Sequence, residues 1–155
     1  MLVAFGVRQY EWNVSALLHI DTVFGETHDV PPGVVLYKDG GYDGMLYYEV
    51  ARDLPKLLSG APVSLDSPYR FQRILLPLLV YGLSFGYVEW FPAATLALNI
   101  LAAVGSLALG FLLTGQRSVH AWTLVFNPAM LVGILYSLTE PLSMFFMLLF
   151  FVRWQ

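Results

Sequence analysis

The chain has 155 residues, enough for one domain, yet 57% are hydrophobic, only 12% are charged, and the mean hydropathy is +0.64. A soluble domain carries about 25% charged residues, so this composition points away from that class. A net charge of −3 without a basic stripe argues against a nucleic-acid partner, and the absence of cysteine rules out disulfides and thiolate metal sites.

The charge is distributed unevenly. Residues 1–73 hold six of the eight Lys/Arg and nine of the eleven acids, while the rest of the chain has only Glu89, Arg117, Glu140 and Arg153. Four charges cannot cover the surface of a soluble unit that long, so the second half is expected to lie in a bilayer. The expected fold class is all-α: a multi-pass helical membrane protein with a long structured extracytoplasmic loop that contains an amphipathic interfacial helix. Residues 1–73 form the polar loop region, with 1–8 as the tail of a first transmembrane helix. Residues 74–155 form the transmembrane helices, and the chain reads as a truncated piece of a longer protein.

In chain order, "HDVPPGVV" and "KDGGYDG" are turn-rich, since Pro-Gly and Asp-Gly steps supply the backbone angles of tight turns. From Asp43 the pattern becomes helical, with Leu46, Val50, Leu54, Leu57 and Leu58 recurring at helical spacing in an amphipathic helix bent near Pro55. Fifteen uncharged residues follow Arg73, extended to spanning length if the helix starts at Ser67-Pro68, a good cap and first-turn pair. The twenty-seven residues between Glu89 and Arg117 are the clearest span. A further twenty-two-residue stretch contains Asn127-Pro128, which breaks or kinks a helix. The last apolar stretch runs from Pro141 to Val152.

Four groups could carry chemistry. Asp43 in "GGYDGMLYYEV" either caps a helix beginning at Gly44 or serves as a general base facing a cavity. Arg70 and Arg73, three apart in "SPYRFQRILLPLL", either snorkel to headgroups or clamp a phosphate through bidentate bonds, with Tyr69 and Gln72 nearby. Glu140 in "LYSLTEPLSMFF" is either an interfacial loop acid or a functional carboxylate among apolar spans. His19, His28 and His120 have no metal-ligand spacing, so no metal site and no cofactor are expected, and metal dependence stays open.

Taken together, "GYDGMLYYEVARD", "LDSPYRFQRILLPLL" and "LTEPL", with "NVSALLHI" and "VPPGVVLY" upstream, resemble a family of bacterial multi-pass membrane proteins of cell-surface glycopolymer formation. That family is similar to the GPI mannosyltransferase that adds the second mannose and to the C-type glycosyltransferase superfamily. The resemblance covers about residues 12–145 and implies a glycosyltransferase-like enzyme. Its partners would be a polyprenyl-phosphate sugar donor, a glycan or lipid acceptor, and membrane lipids. It places the protein in a bacterial inner membrane with residues 9–73 outside the cytoplasm. Asp43 matches the family's catalytic acid, and Tyr42, Tyr47, Arg70, Gln72, Arg73 and Glu140 become substrate-binding candidates. Members of the family are several times longer than this chain. The alternative is a non-catalytic transporter, flippase-type or assembly subunit, which would need the arginines but not Asp43.

Overall fold

The computed structural model describes residues 8, 10–28, 30–63, 73–114 and 119–154. Residues 1–7 of the first-span tail expected at 1–8, and the helix start expected at Ser67-Pro68, lie outside them. The described chain opens with a 3-10 turn at Val14–Leu18, where the Asn13 side chain accepts from the Ser15 amide. Strand β1 (Ile20–Asp21) follows, then α1 (Thr22–Thr27), whose first turn is capped by Asp21 through the Phe24 amide. Strand β2 (Leu36–Tyr37) pairs with β1 in parallel, Ile20 opposite Leu36. Side chains hold this small loop unit closed: Asn13 Nδ2 donates to the Gly33 carbonyl, the Val35 amide to Ser15 Oγ, and the Tyr37 hydroxyl to the Ala16 carbonyl.

The expected loop helix is present as α2 (Asp43–Leu58), with Pro55 inside it. Its buried face contains Val50 and Leu54 of the expected stripe but is wider than that stripe. Tyr47, Tyr48, Ala51 and Leu54 are buried together with Glu49 and Asp53, while Leu58 is 74% exposed. The helix is packed on more than one side, against the 3-10 turn and against the helices that follow, so its aromatic residues are buried along with the stripe. Asp53 is held in place on this helix by Lys56 at 2.9 Å and Arg52 at 3.2 Å.

After Arg73 comes α3 (Leu75–Leu83), which ends in a turn where Phe85 and Gly86 both take positive φ. Nine residues rise only about 14 Å, so the described part of this apolar stretch is shorter than a hydrocarbon core. A 3-10 turn at Val88–Trp90 leads into α4 (Phe91–Thr114), and Val88–Thr114 is the one helical stretch among the described residues long and apolar enough to cross a membrane. The stretch around Asn127-Pro128 is indeed broken, into α5 (Val119–Val125) and α6 (Pro128–Leu135), with Asn127 capping α6 through the Met130 amide at 2.9 Å. Helix α7 (Glu140–Trp154) completes the described chain.

Helix α4 is the axis on which α3, α5, α6, α7 and the first 3-10 turn pack. Past Phe91 and Pro92, which are buried at its start, its buried face is built from small or polar residues: Ala94, Thr95, Asn99, Ala102, Ala103, Ser106 and Gly110. Ile100, Leu101, Val104 and Leu112 point outward. Small residues let neighbouring backbones approach, and a Cβ on Gly105 would lie 2.6 Å from the Phe145 ring of α7. Asn99 is fully buried and donates from Nδ2 to the Gly133 carbonyl of α6.

The start of α2 is wedged most tightly. A Cβ on Gly44 would sit 2.5 Å from the Tyr136 carbonyl oxygen and 3.0 Å from that of Leu18, both backbone atoms that cannot step aside. Gly44→Ala is therefore expected to destabilise the fold by about 1–3 kcal/mol, read as a lower denaturation midpoint in detergent micelles.

Candidate functional site

The break after Tyr136 and the entry to α3 bring distant segments together. A cleft of about 590 Å³ opens between the residues preceding and starting α3, the start of α6 and the first turns of α7. Arg73, Asn127, Thr139, Glu140 and Ser143 supply its polar lining, and Leu76, Met130, Leu142 and Met147 are among its apolar walls. Arg73 reaches back to α2, where its Nη1 donates to the Tyr47 hydroxyl at 3.0 Å. Tyr47 is buried on α2, so this bond presets the direction of the guanidinium while the Arg73 residue stays exposed. A tyrosine oxygen that accepts from arginine keeps its own O–H free to donate.

Glu140 is the first residue of α7 and is half-buried in the cleft. Its Oε2 is shielded from solvent and has no hydrogen-bond partner among the described residues. A carboxylate oxygen in that state is a ready acceptor for a ligand hydroxyl, because an unmade bond at a buried acceptor is costly. A cation and an acceptor thus stand in one cleft with apolar sides. That combination suits a ligand with a charged anionic group, hydroxyls and a hydrocarbon part.

Asp43 is placed differently. It is half-buried and is itself the first residue of α2, with Tyr42 at the capping position and no side-chain cap bond from Tyr42. The helix therefore begins one residue earlier than the capping alternative requires, and Asp43 is a first-turn acid whose charge the helix dipole favours. It stands one helical turn before Tyr47, on the same face, but is not among the residues lining the cleft. Gly44 next to it touches the Tyr136–Ser137 turn, three residues before Glu140. Among the residues named from sequence, then, Arg73 and Glu140 share the cleft, Tyr47 is bonded to Arg73 from α2, and Asp43 and Tyr42 are not among its lining. Arg70 and Gln72 fall outside the described residues.

Of the aromatic run next to Asp43, sequence reading picked out Tyr42 alone as a binding candidate. Tyr42 meets Tyr136 at 4.7 Å between ring centres, Tyr136 meets His19 at 4.8 Å, His19 stacks on Tyr37 at 4.0 Å, and Tyr37 meets Tyr10 at 5.4 Å. Burial pushes the Tyr37 hydroxyl well above its ordinary range, helped by its hydrogen bond with Tyr10. Burial also lowers the pKa of His19, which favours a neutral ring. His19 and Ser137 both adopt left-handed backbone, with φ of 50° and 54°, to deliver these rings. The residues come from four separate segments, so no local spacing could have announced them.

No family model matches the chain, and no curated protein or solved structure is significantly similar to it.

The lowered pKa of His19 sets a sign for pH dependence. The unfolded chain binds the His19 proton more readily than the folded one, so acid favours unfolding. Stability should fall as pH drops from about 7 to about 5, and His19→Gln should flatten that slope in thermal melts. Asp53 acts lower on the scale. Burial opposes its charge, but the bonds from Arg52 and Lys56 win and hold its carboxyl below 3.8, so its contribution is lost only in stronger acid.

Proposed function

We propose that the chain is part of a multi-pass membrane glycosyltransferase that moves a sugar from a polyprenyl-phosphate donor to a cell-surface glycan or lipid acceptor. In this reading residues 9–73 face the outside of a bacterial inner membrane. The observation that carries it is that Arg73, hydrogen-bonded to Tyr47 of α2, and Glu140 line one cleft with apolar walls. Arg73 would hold the lipid phosphate, oriented by Tyr47, and offset the charge that grows on the leaving oxygen. Glu140 would accept a hydroxyl of the donor sugar or the acceptor. Asp43 would take the proton from the acceptor hydroxyl as its oxygen bonds to the anomeric carbon and the bond to phosphate breaks, inverting that carbon in one displacement.

The exposed leucines and phenylalanines of α3, α4 and α7 support a lipid setting for this chemistry, since such surface is disfavoured in water. A non-catalytic lipid-binding subunit is the second reading, and one observation favours it: the carboxylate inside the cleft is Glu140, while Asp43 stands outside its lining.

Three variants separate these readings in membranes holding the full-length protein. Asp43→Asn should lower sugar transfer by about 100-fold or more with polyprenyl-phosphate binding nearly unchanged. Arg73→Gln should weaken that binding by about tenfold, from loss of a charge-assisted bond. Transfer retained by Asp43→Asn but lost by Glu140→Gln would move the base to Glu140. Lipid binding with no transfer even before mutation would establish the non-catalytic reading.

A further inference from the structure

The start of α7 holds a second unbonded polar group beside Glu140. Thr139 immediately precedes the helix, is only 8% exposed and lines the cleft of Arg73. Its backbone carbonyl accepts from the Ser143 amide at 2.9 Å, which makes it the capping residue of α7. A threonine there ordinarily turns its hydroxyl onto the amide of the second or third helical residue. Here the second is Pro141, which has no amide to offer. The Thr139 hydroxyl takes part in none of the hydrogen bonds among the described residues.

The backbone that carries this pair is pinned from behind. The Gly133 carbonyl accepts from the Leu138 amide at 2.8 Å and from Asn99 Nδ2 at 3.4 Å, and the Pro141 ring lies against Gly133 itself. Thr139 and Glu140 stand between these anchors. The hydroxyl and the shielded Oε2 of Glu140 are thus held at neighbouring positions before any ligand arrives. Their chemistry is complementary, since a threonine hydroxyl donates as well as accepts, whereas a carboxylate only accepts. A ligand alcohol matches both at once: its O–H goes to Oε2 and its oxygen accepts from Thr139. A methylene in the same place leaves both protein groups unpaired, which is costly.

We infer that Thr139 is a specificity-determining residue: with Glu140 it reads one hydroxyl of the sugar whose phosphate rests on Arg73. The inference deepens the glycosyltransferase reading above and rests on its placing of the phosphate. It commits this pair to the donor and not to the acceptor. Arg73 lines the same cleft, whereas Asp43, the base toward the acceptor, does not.

The test compares ligands of equal charge on the full-length protein in nanodiscs, by titration calorimetry. Cyclohexyl geranyl phosphate supplies the anion, the hydrocarbon and a ring without hydroxyls. Glucosyl and mannosyl geranyl phosphate add the hydroxyls. The better of these two sugars should bind about tenfold more tightly than the cyclohexyl ligand. Thr139→Val keeps the shape and removes the hydroxyl; it should erase most of that gap and leave the cyclohexyl ligand bound as before. Thr139→Ser should preserve the gap. Thr139→Ala replaces the valine variant if that variant loses helix content by circular dichroism. A gap unchanged by loss of the hydroxyl would overturn the inference, since the side chain then serves only the helix. Equal binding of all three ligands to the unmutated protein would overturn it too, with the phosphate reading intact. Should no geranyl ligand bind, glucose and mannose 1-phosphate against cyclohexyl phosphate decide. A gap that Thr139→Val erases keeps the inference for a free sugar phosphate and removes the lipid donor; no gap removes both.

Discussion

The close approach of backbones along the inner face of α4 is the constraint on which the other elements depend. Beyond the buried Phe91 at its start, that face offers Ala94, Ala102, Ala103 and Gly110, with Thr95, Asn99 and Ser106 between them, while Ile100, Leu101, Val104 and Leu112 face the other way. Water would favour the reverse arrangement, because it penalises exposed leucine and rewards buried leucine. In the membrane setting proposed above, hydrocarbon would remove that penalty and leave packing contacts and a few polar links to decide what lies inside. The Asn99 bond to the Gly133 carbonyl is one such link, joining α4 to α6 at the level where α7 begins.

Glycine then converts this packing into site geometry. Gly133 lets Pro141 lie against α6, with a Cβ there falling 2.5 Å from the proline ring, and this sets where Glu140 emerges. Gly44 lets the first turn of α2 press on the Tyr136–Ser137 turn. The two contacts sit on either side of one short connection, residues 136–139, so the positions of Asp43 and Glu140 are coupled through it. Strain at Ser137 and His19 is the local cost, offset by the ring contacts of Tyr136, Tyr42 and Tyr37.

Much of the element order was legible beforehand, for identifiable reasons. The break at Asn127-Pro128 follows from the missing amide of proline and the capping power of asparagine, and both appear in α6. The helix from Asp43 and the long apolar helix before Arg117 follow from periodicity and composition. The stretch after Arg73 was harder. Its apolar run continues through Ser84-Phe85-Gly86, yet the described helix stops there, because hydropathy does not register a turn made by positive φ. The buried face of α2 was also misjudged in part. A leucine stripe marks one apolar face, but Tyr47 and Tyr48 carry more area and are drawn in by neighbours that periodicity does not see.

The sequence by itself determined an apolar, largely helical chain with its charge gathered before residue 74, and a short roll of groups capable of chemistry. Those follow from local rules of hydrophobicity, capping and backbone conformation. Only the tertiary structure decided that Tyr47 aims Arg73 and that Glu140, not Asp43, shares the cleft with it. Such partnerships depend on which helices can approach most closely, and here glycines far apart in the chain set those distances.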